Sequence, residues 1–226
     1  MLKFIFKILY YIVDDLIHQR KIILFLKNKK IKKVIDIGAH KGEFLKALNK
    51  IDSIKEVYSL EPQKKIYKEL LKKIDVKKNK AYNLAISNLE GKKALSINKL
   101  SMTSTFSKIE KKSKYYKMKR FIVGSQKIFE KVNVKKLDNF VKMARIKNNI
   151  DLLKIDTEGH ELEVLKSGNK TLTKVKFILI EFRLNDMYLN YSSTKIHNFL
   201  KQNKFKLIKK FKFPLFAMED RIYKKI

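Results

Sequence analysis

The sequence predicts an α/β fold in which helices cover both faces of a mostly parallel, seven-stranded sheet that ends in an antiparallel hairpin. Two observations predict it. From residue 33 to residue 203, short apolar runs rich in β-branched side chains alternate with segments of helical periodicity, the pattern of parallel strands joined by helices. Residues 205–225 then form two strand-like runs around Pro214 without a helix between them, which favours an antiparallel pair at one edge of the sheet.

The first half of this alternation supplies three predicted strands and two helices. Each strand is a short apolar run that ends at a turn-forming or polar residue, and each helix has apolar side chains at intervals of three and four. The strands are predicted at 33–37, 55–60 and 80–86, and the helices at 42–50 and 63–74.

The second half continues in the same way after a different middle part. Short alternating pieces at 92–97 and 127–134 predict further strands. Beyond them the pattern predicts helices at 137–146, 159–167 and 193–203, with strands at 150–155 and 176–182.

Two segments fall outside the alternation. Residues 1–30 are a predicted helical appendage to a domain that spans residues 31–226, because apolar side chains near the N-terminus follow helical spacing. Such a helix either packs on the domain or lies on a membrane surface as a peripheral anchor, and both interpretations stay open. An insertion at about 98–127 contains the polar run Ser101–Thr105, and a long insertion of this kind favours a lid or a substrate loop.

The composition limits the class of protein. With 226 residues, 45% of them hydrophobic, the chain fits one domain with an appendage. Cysteine is absent, which excludes disulfides, thiolate metal sites and a cysteine nucleophile. The longest stretch without Asp, Glu, Lys or Arg is residues 81–89, about half of the roughly 18 residues that a membrane span needs. Since no signal peptide is apparent either, we expect a cytoplasmic protein.

The formal net charge of +32 has two interpretations. A selected basic surface would favour an anionic partner such as nucleic acid, anionic lipid or a phosphorylated substrate. However, arginine occurs at only five positions, and the lysines are spread over the whole chain instead of forming one block. The lysine bias of an AT-rich genome explains this distribution more simply, so we do not expect a nucleic-acid partner.

The first candidate motif leaves one predicted strand and enters the next helix. Gly38 permits a tight turn with close approach of the backbone to a ligand, and Gly42 opens the helix. Asp36 ends the strand on the side where open α/β sheets bind ligands, and His40 lies within the same turn. Because the dinucleotide G-x-G-x-x-G pattern is missing, a ligand with a nucleoside and an amino-acid tail fits better. The alternative is an ordinary strand–turn–helix. The motif reads Asp36-Ile37-Gly38-Ala39-His40-Lys41-Gly42.

Two further strand ends carry candidate ligand-binding residues. Glu61 follows Gly38 by 23 residues and precedes Pro62, a position from which a carboxylate accepts hydrogen bonds from ribose hydroxyls. The alternative is a glutamate that caps a helix entry. The segment 83–88, which includes Ala85, ends the third predicted strand, where its polar groups would meet an adenine ring edge. This weaker signal is equally compatible with a plain strand end.

The fourth motif follows the strand at 150–155 and is the most specific. Asp156, Glu158, His160 and Glu161 crowd the start of a predicted helix at the ligand-binding end of the sheet. Four ionisable groups at such a position are costly as structure alone, although acidic residues in a first helical turn also stabilise the helix. These residues therefore become candidates for catalysis.

Together the motifs resemble the FkbM family of methyltransferases. That family shows Asp-x-Gly-x-x-x-Gly after its first strand, Glu-Pro after the second and Lys-Ile-Asp-x-Glu-Gly-x-Glu after the fourth. This chain has the same residues at 36–42, 61–62 and 154–161, followed by a family-like Leu165-Lys166-Ser167-Gly168 stretch. The resemblance covers about residues 33–182. It implies a Rossmann-like class I methyltransferase fold, S-adenosylmethionine (SAM) as methyl donor, and methylation of a hydroxyl on a sugar, glycan or other small metabolite.

The resemblance leaves the catalytic roles open. An alcohol acceptor must lose a proton to a base, for which His160 and Glu158 are the candidates, while Asp156 positions the acceptor or donor. A second hypothesis has Asp156, Glu158 and Glu181 hold a divalent cation that acidifies the hydroxyl. His40, beside the donor loop, is a further contender. The oligomeric state is not predicted.

Two alternative functions come from other classes. The charge favours an RNA methyltransferase, with Tyr115–Arg120 as the nearest candidate for an RNA contact, although a solvated lysine-rich loop explains that segment too. A non-catalytic Rossmann-like binding protein is the other alternative. The near-complete set of donor-site residues argues against it.

Overall fold

A computed structural model describes residues 17–98, 103–123, 128–213 and 217–226. Its strands are β1 (Lys33–Ile37), β2 (Glu56–Leu60), β3 (Asn79–Tyr82), β4 (Ala85–Ile86), β5 (Gly91–Ile97), β6 (Ile128–Lys135), β7 (Ile150–Ile155), β8 (Val175–Arg183), β9 (Phe205–Lys212) and β10 (Met218–Lys225). Its helices are α1 (Gln19–Lys27), α2 (Glu43–Leu48), α3 (Lys64–Leu71), α4 (Lys114–Val123), α5 (Leu137–Met143), α6 (Glu161–Lys166), α7 (Asn169–Leu172) and α8 (Ser193–Gln202).

Seven strands form the main sheet in the order β3-β2-β1-β7-β8-β10-β9. The pairs from β3 to β8 are all parallel, and only β10 runs antiparallel to its neighbours β8 and β9. The predicted fold class is thereby confirmed, including the C-terminal hairpin. Strand order reverses between β1 and β7, and open α/β sheets bind ligands at the carboxyl ends of strands beside such a reversal.

Helices lie on both faces because the central strands are apolar on both sides. Ile35 and Ile37 of β1 point into one core, which also buries Phe140 of α5, Val164 of α6 and Leu200 of α8. Their neighbour Val34 points to the opposite face and into a second core, built from α1, α2 and α3. This double burial explains why the central strands are continuous apolar runs instead of alternating ones.

The single strand predicted at 80–86 is wrong. The segment splits at Asn83: residues 79–82 pair with β2 in the main sheet, whereas Ala85–Ile86 pair with β6. β4, β6 and β5 form a separate three-stranded sheet, which uses the alternating pieces predicted in the middle of the chain. Apolar periodicity could not reveal the split, because it does not show which sheet a short strand joins. β3 is only partly buried, whereas both residues of β4 are buried.

The N-terminal region is described from residue 17 onwards, so most of the predicted helix in 1–30 lies outside the described residues. The described part, α1, packs Ile22, Ile23 and Leu26 into the second core. Peripheral membrane association through the N-terminal residues stays a prediction. Among the helices that the structure describes, none is long and apolar enough to cross a membrane.

The described residues of the insertion predicted at about 98–127 contact the rest of the domain. Thr105 bridges Ser96 at the end of β5, Ile109 bridges Tyr188, and α4 follows. Part of the predicted polar run, residues 101–102, lies outside the described residues. The division into appendage, domain and insertion remains a prediction, but residues 103–107 already lie against the functional site.

Candidate active site

A cavity opens at the carboxyl ends of β1, β2, β4 and β7. Most of the predicted site residues line it, although they come from four separate segments of the chain. They are Gly38, His40, Glu61, Ala85, Asp156, Glu158 and His160. Of the predicted residues, Asp36 and Gly42 are not among its lining.

Gly38 is required where β1 passes β7. Its φ is +83°, and a Cβ placed there would lie 1.9 Å from the carbonyl oxygen of Asp156. The amides of Gly38 and Ala39 both donate to the carbonyl of Leu60, at 3.0 and 2.9 Å. The loop after β1 is thus tied to the ends of both neighbouring strands, and its backbone is left uncovered on the cavity side.

Gly42 has a structural part in the same loop. Its φ of +81° ends the turn, and a Cβ on it would come within 3.0 Å of Leu70 Cδ1 on α3. Its amide donates to the carbonyl of Ala39 at 2.9 Å. The predicted contact of Gly42 with a cofactor stays a prediction, and the structure shows it shaping the turn that presents His40.

Glu61 lies almost fully buried at the end of β2, with 3% of its surface exposed. Its Oε2 accepts the amide of His40 at 3.0 Å, and its Oε1 accepts the amide of Gln63 at 2.8 Å. Burial raises the pKa of Glu61 to about 7, although these amide hydrogen bonds and His40 oppose the shift. The Gln63 side chain also donates to this carboxylate. Since a carboxylate has about four acceptor positions, one remains for a hydroxyl group in the cavity.

Asp36 is fully buried and lies on the same face of β1 as Val34, opposite Ile35 and Ile37. It pairs with the ammonium of Lys154, whose Nζ lies 3.1 Å from Asp36 Oδ1. The same Nζ donates to the carbonyl of Gly38 at 3.3 Å and lies 3.4 Å from Asp156 Oδ2. Burial acts to lower the pKa of Lys154, but the two aspartates outweigh it and the pKa lies above its usual value. Asp36 therefore acts on the site through Lys154, which links the ends of β1 and β7.

The segment after β3 contributes apolar groups to the cavity. Leu84, Ala85 and Ile86 line it. Asn83 instead turns its amide back, donating to the carbonyls of Glu61 and Pro62 at 2.9 and 2.8 Å. Polar groups of segment 83–88 were expected near an adenine ring. Asn83 instead holds the turn at Glu61, and the Ser87 hydroxyl contacts His160.

The loop from Asp156 to His160 is organised by the buried carboxylate of Glu161. Its Oε1 accepts the amides of Thr157 and Gly159, at 3.1 and 3.0 Å. Burial raises the pKa of Glu161 to about 7 against the effect of these amides. Since Glu158 and Gly159 both have positive φ, the loop needs these hydrogen bonds to hold its conformation.

Glu158 belongs to a buried ionic network. Its carboxylate accepts the hydroxyl of Tyr188 at 2.5 Å and pairs with the guanidinium of Arg183 at 2.5 Å. Arg183 also pairs with Glu181 at 2.6 Å. Oxygen atoms of Asp156, Glu158 and Glu181 do lie within 4.8 Å of one another, as the cation hypothesis requires. Because Arg183 already neutralises two of the three, the arrangement is accounted for without a metal ion.

His160 lies at the cavity wall with both ring nitrogens near polar partners. Its Nε2 is 2.9 Å from the Ser87 hydroxyl, and its Nδ1 is 3.8 Å from Glu163. Burial lowers the pKa of His160, and Glu163 only partly opposes this. Burial therefore favours the neutral imidazole, which lies against the ring of Phe106 with the two centroids 5.3 Å apart.

Several residues of the site had no motif to mark them. Thr105 donates its hydroxyl to the carbonyl of Glu158 at 2.6 Å, and Ser107 donates to Gly159 at 2.7 Å. Ser104 and Phe106 line the cavity. The polar run at 101–105 was the only signal in this part of the insertion, and it covers Ser104 and Thr105 but not Phe106 or Ser107. That the insertion is a lid or a substrate loop stays a prediction.

The sequence matches a family model described as the methyltransferase FkbM domain over residues 36–207, most of the chain. The chain belongs to the FkbM methyltransferase family. The three motifs that carry the family resemblance, at 36–42, 61–62 and 154–161, lie within this match. No curated protein matches the FkbM chain by sequence.

Solved methyltransferase structures share the fold of this FkbM protein. Magnesium protoporphyrin IX methyltransferase from Synechocystis PCC 6803, with bound S-adenosylhomocysteine (SAH), has a TM-score of 0.54 at 8% identity, over 96% of this chain and 85% of that one. A SAM-dependent methyltransferase from Leishmania major has 0.53 at 14% identity, over 95% and 73%. The methyltransferase domain of bacterial CtHen1 has 0.54 at 9%, over 92% and 96%. At such identities the likeness establishes the fold alone.

Proposed function

We propose that this FkbM protein transfers a methyl group from SAM to a hydroxyl of a small, sugar-like acceptor. The observation that carries the proposal is that Gly38, Glu61, Asp156 and His160 line one cavity at the point where strand order reverses. Their segments are far apart in sequence. A shared cavity is what a nucleoside ligand with an amino-acid tail requires.

The donor half of the cavity suits SAM. The Glu61 carboxylate, held by two backbone amides and the Gln63 side chain, offers its remaining acceptor position to a ribose hydroxyl. Leu84, Ala85 and Ile86 provide an apolar surface for an adenine ring. At the other end, the bare backbone at Gly38 and the carboxylate of Asp156 suit the amino-acid tail, whose ammonium needs hydrogen-bond acceptors.

For this reaction the protein has to align the reactants and remove a proton from the acceptor. SAM supplies a methyl group that is already activated on a sulfonium ion. The chain must hold acceptor oxygen, methyl carbon and sulfur in line, and exclude water. Asp156, which Lys154 contacts at 3.4 Å, lies where the strands end and is the positioning residue that we assign to this alignment.

RNA receives less support as the acceptor. The candidate RNA contact, residues 115–120, lies on α4, where both Tyr115 and Tyr116 are half-buried. Exposed aromatic rings on which bases stack are the usual mark of RNA recognition. Salt-sensitive RNA binding near physiological ionic strength would favour RNA over a small acceptor.

Replacing Glu61 with glutamine tests the donor half. Charge-assisted hydrogen bonds contribute about 1.5–3 kcal/mol, so we expect SAM affinity to fall by about 10- to 100-fold. The measurement is isothermal titration calorimetry with SAM and SAH, together with circular dichroism to confirm folding. Glu69→Gln, on the exposed side of α3, is the control and should bind like the wild type. Absence of SAM binding to the wild type, or equal affinity in Glu61→Gln, would refute the assignment.

A further inference from the structure

A second cavity adjoins the first at Asp156. Asp156 is the residue that lines both. The second cavity lies over the ends of β7, β8 and β10 and is closed by the start of α1. Its lining is His18, Gln19, Ile22, Phe44, Lys154, Asp156, Leu179, Glu181, Phe213, Met218 and Asp220.

His18 is the unusual member of this lining. Only 2% of it is exposed, and its Nε2 lies 2.6 Å from Asp220 Oδ2. Its ring meets the edge of Phe213 with centroids 5.0 Å apart. Within the described part of the chain, the buried Nδ1 has no hydrogen-bond partner. A hydrogen bond to the Asp220 carboxylate favours the tautomer with hydrogen on Nε2, which leaves the Nδ1 lone pair as an acceptor without a partner.

The two bases predicted from the sequence are less available. Both oxygens of Glu158 are engaged, one by Arg183 and the other by Tyr188. His160 holds the Ser87 hydroxyl with Nε2 and faces Glu163 with Nδ1. By contrast, His18 has one nitrogen oriented by a carboxylate and the other unpaired, the arrangement by which a histidine–carboxylate pair acts as a general base.

We propose that His18, oriented by Asp220, is the general base that removes the proton from the acceptor hydroxyl, and that the acceptor occupies this second cavity. The inference rests on the proposed function. The hydroxyl proton passes to Nδ1 of His18 while the oxygen forms a bond to the methyl carbon. The carbon–sulfur bond breaks with its electron pair on sulfur, which leaves SAH, the methyl ether and an imidazolium paired to Asp220.

The lining also indicates the class of acceptor. Carboxylates of Asp156, Glu181 and Asp220 accept hydrogen bonds from neighbouring hydroxyls, while Phe44 and Leu179 offer apolar surface to the less polar face of a sugar ring. A negatively charged acceptor would meet three carboxylates, so a neutral polyol fits better.

The test compares SAH release by wild-type protein and His18→Gln with a panel of neutral methyl glycosides. Glutamine retains a donor for Asp220 but is not basic. We expect kcat to fall by about 10²- to 10⁴-fold, the usual contribution of a general base, with SAM affinity unchanged. Asp220→Asn should lower kcat in the same direction. His197→Gln is the matched control, because His197 bonds Tyr223 and is not in the cavity lining.

Chemical rescue separates catalysis from structure. Imidazole added to His18→Ala should restore SAH release in proportion to its concentration, and the same addition to His18→Gln should not. Two results would refute the role of His18 as general base without refuting the proposed methyl transfer. One is an unchanged kcat in His18→Gln, and the other is a folded His18→Ala whose lost activity imidazole does not restore. If wild-type protein binds SAM but turns over no glycoside of the panel, the proposed acceptor class falls and this inference falls with it.

Discussion

Replacing Gly38 with alanine is expected to destabilise the protein by about 3 kcal/mol or more and to abolish SAM binding. A Cβ there would lie 1.9 Å from the Asp156 carbonyl oxygen, which is backbone and cannot rotate away. Relief requires β1 and β7 to separate, although their backbones are joined by the hydrogen bond from the Asp156 amide to the Ile37 carbonyl at 3.0 Å. Strain at positive φ and overpacking each contribute about 1–3 kcal/mol. Urea unfolding and calorimetry with SAM measure the two effects.

Gly91→Ala is the matched control for this substitution. Gly91 has a φ of +96°, but a Cβ there would meet nothing within 4 Å. It therefore isolates the backbone strain from the clash, and we expect a loss of about 1 kcal/mol with SAM binding retained. If the two variants were equally stable and bound SAM equally well, the close approach of β1 to β7 would not be what holds the donor loop.

Replacing Arg183 with methionine is expected to cost about 3–5 kcal/mol of unfolding free energy, the usual effect of removing one partner from a buried ion pair. Arg183 is 6% exposed and lies between the carboxylates of Glu158 and Glu181, which would repel each other without it. For a chain of this length the loss corresponds to a fall in Tm of about 6–20 °C. Thermal unfolding followed by circular dichroism measures it.

The loss in Arg183→Met should also depend on pH. Burial already raises the pKa of Glu181 well above its usual value, and without Arg183 it would rise further. A carboxyl whose pKa is raised on folding binds protons in the native state, so stability falls as the pH rises through that pKa. The deficit should therefore shrink as the pH is lowered towards the pKa of an unfolded glutamate.

Two further variants check the cause. Adding Glu158→Gln and Glu181→Gln to Arg183→Met removes the uncompensated charges and should recover much of the loss. Arg20→Met, at an exposed position on α1, should leave stability nearly unchanged. A pH-independent deficit that survives the two glutamine substitutions would mean that Arg183 acts through packing and not through charge.

The sequence was sufficient for the main sheet because each central strand is a short apolar run that ends at a polar motif. Those motifs fall at the carboxyl ends of parallel strands, so Gly38, Glu61 and Asp156 could be expected to meet in space. The strand at 80–86 was predicted wrongly, since periodicity does not distinguish a strand of one sheet from two half-strands of different sheets.

The residues that escaped prediction depend on contacts between distant segments. Arg183 lies at the end of a predicted strand, but its pairing with Glu158 follows only from the parallel packing of β7 and β8. His18 and Asp220 are 202 residues apart and meet because α1 and β10 both lie at the same end of the sheet. These three positions belong to no local pattern. Asp36, by contrast, was predicted from a motif; it is fully buried and pairs with Lys154, and its contact with a ligand stays a prediction.

Methyl transfer from SAM to a glycoside hydroxyl can be observed directly. The protein is incubated with the methyl glycoside panel and with SAM that carries ¹³C in its methyl group. Two-dimensional NMR of the products identifies the atom to which the labelled carbon is bound. We expect a new methoxy signal on a glycoside together with an equal amount of SAH, and we expect both to be missing from Gly38→Ala. Label transferred to RNA or to an amine nitrogen, with none on a glycoside oxygen, would contradict it.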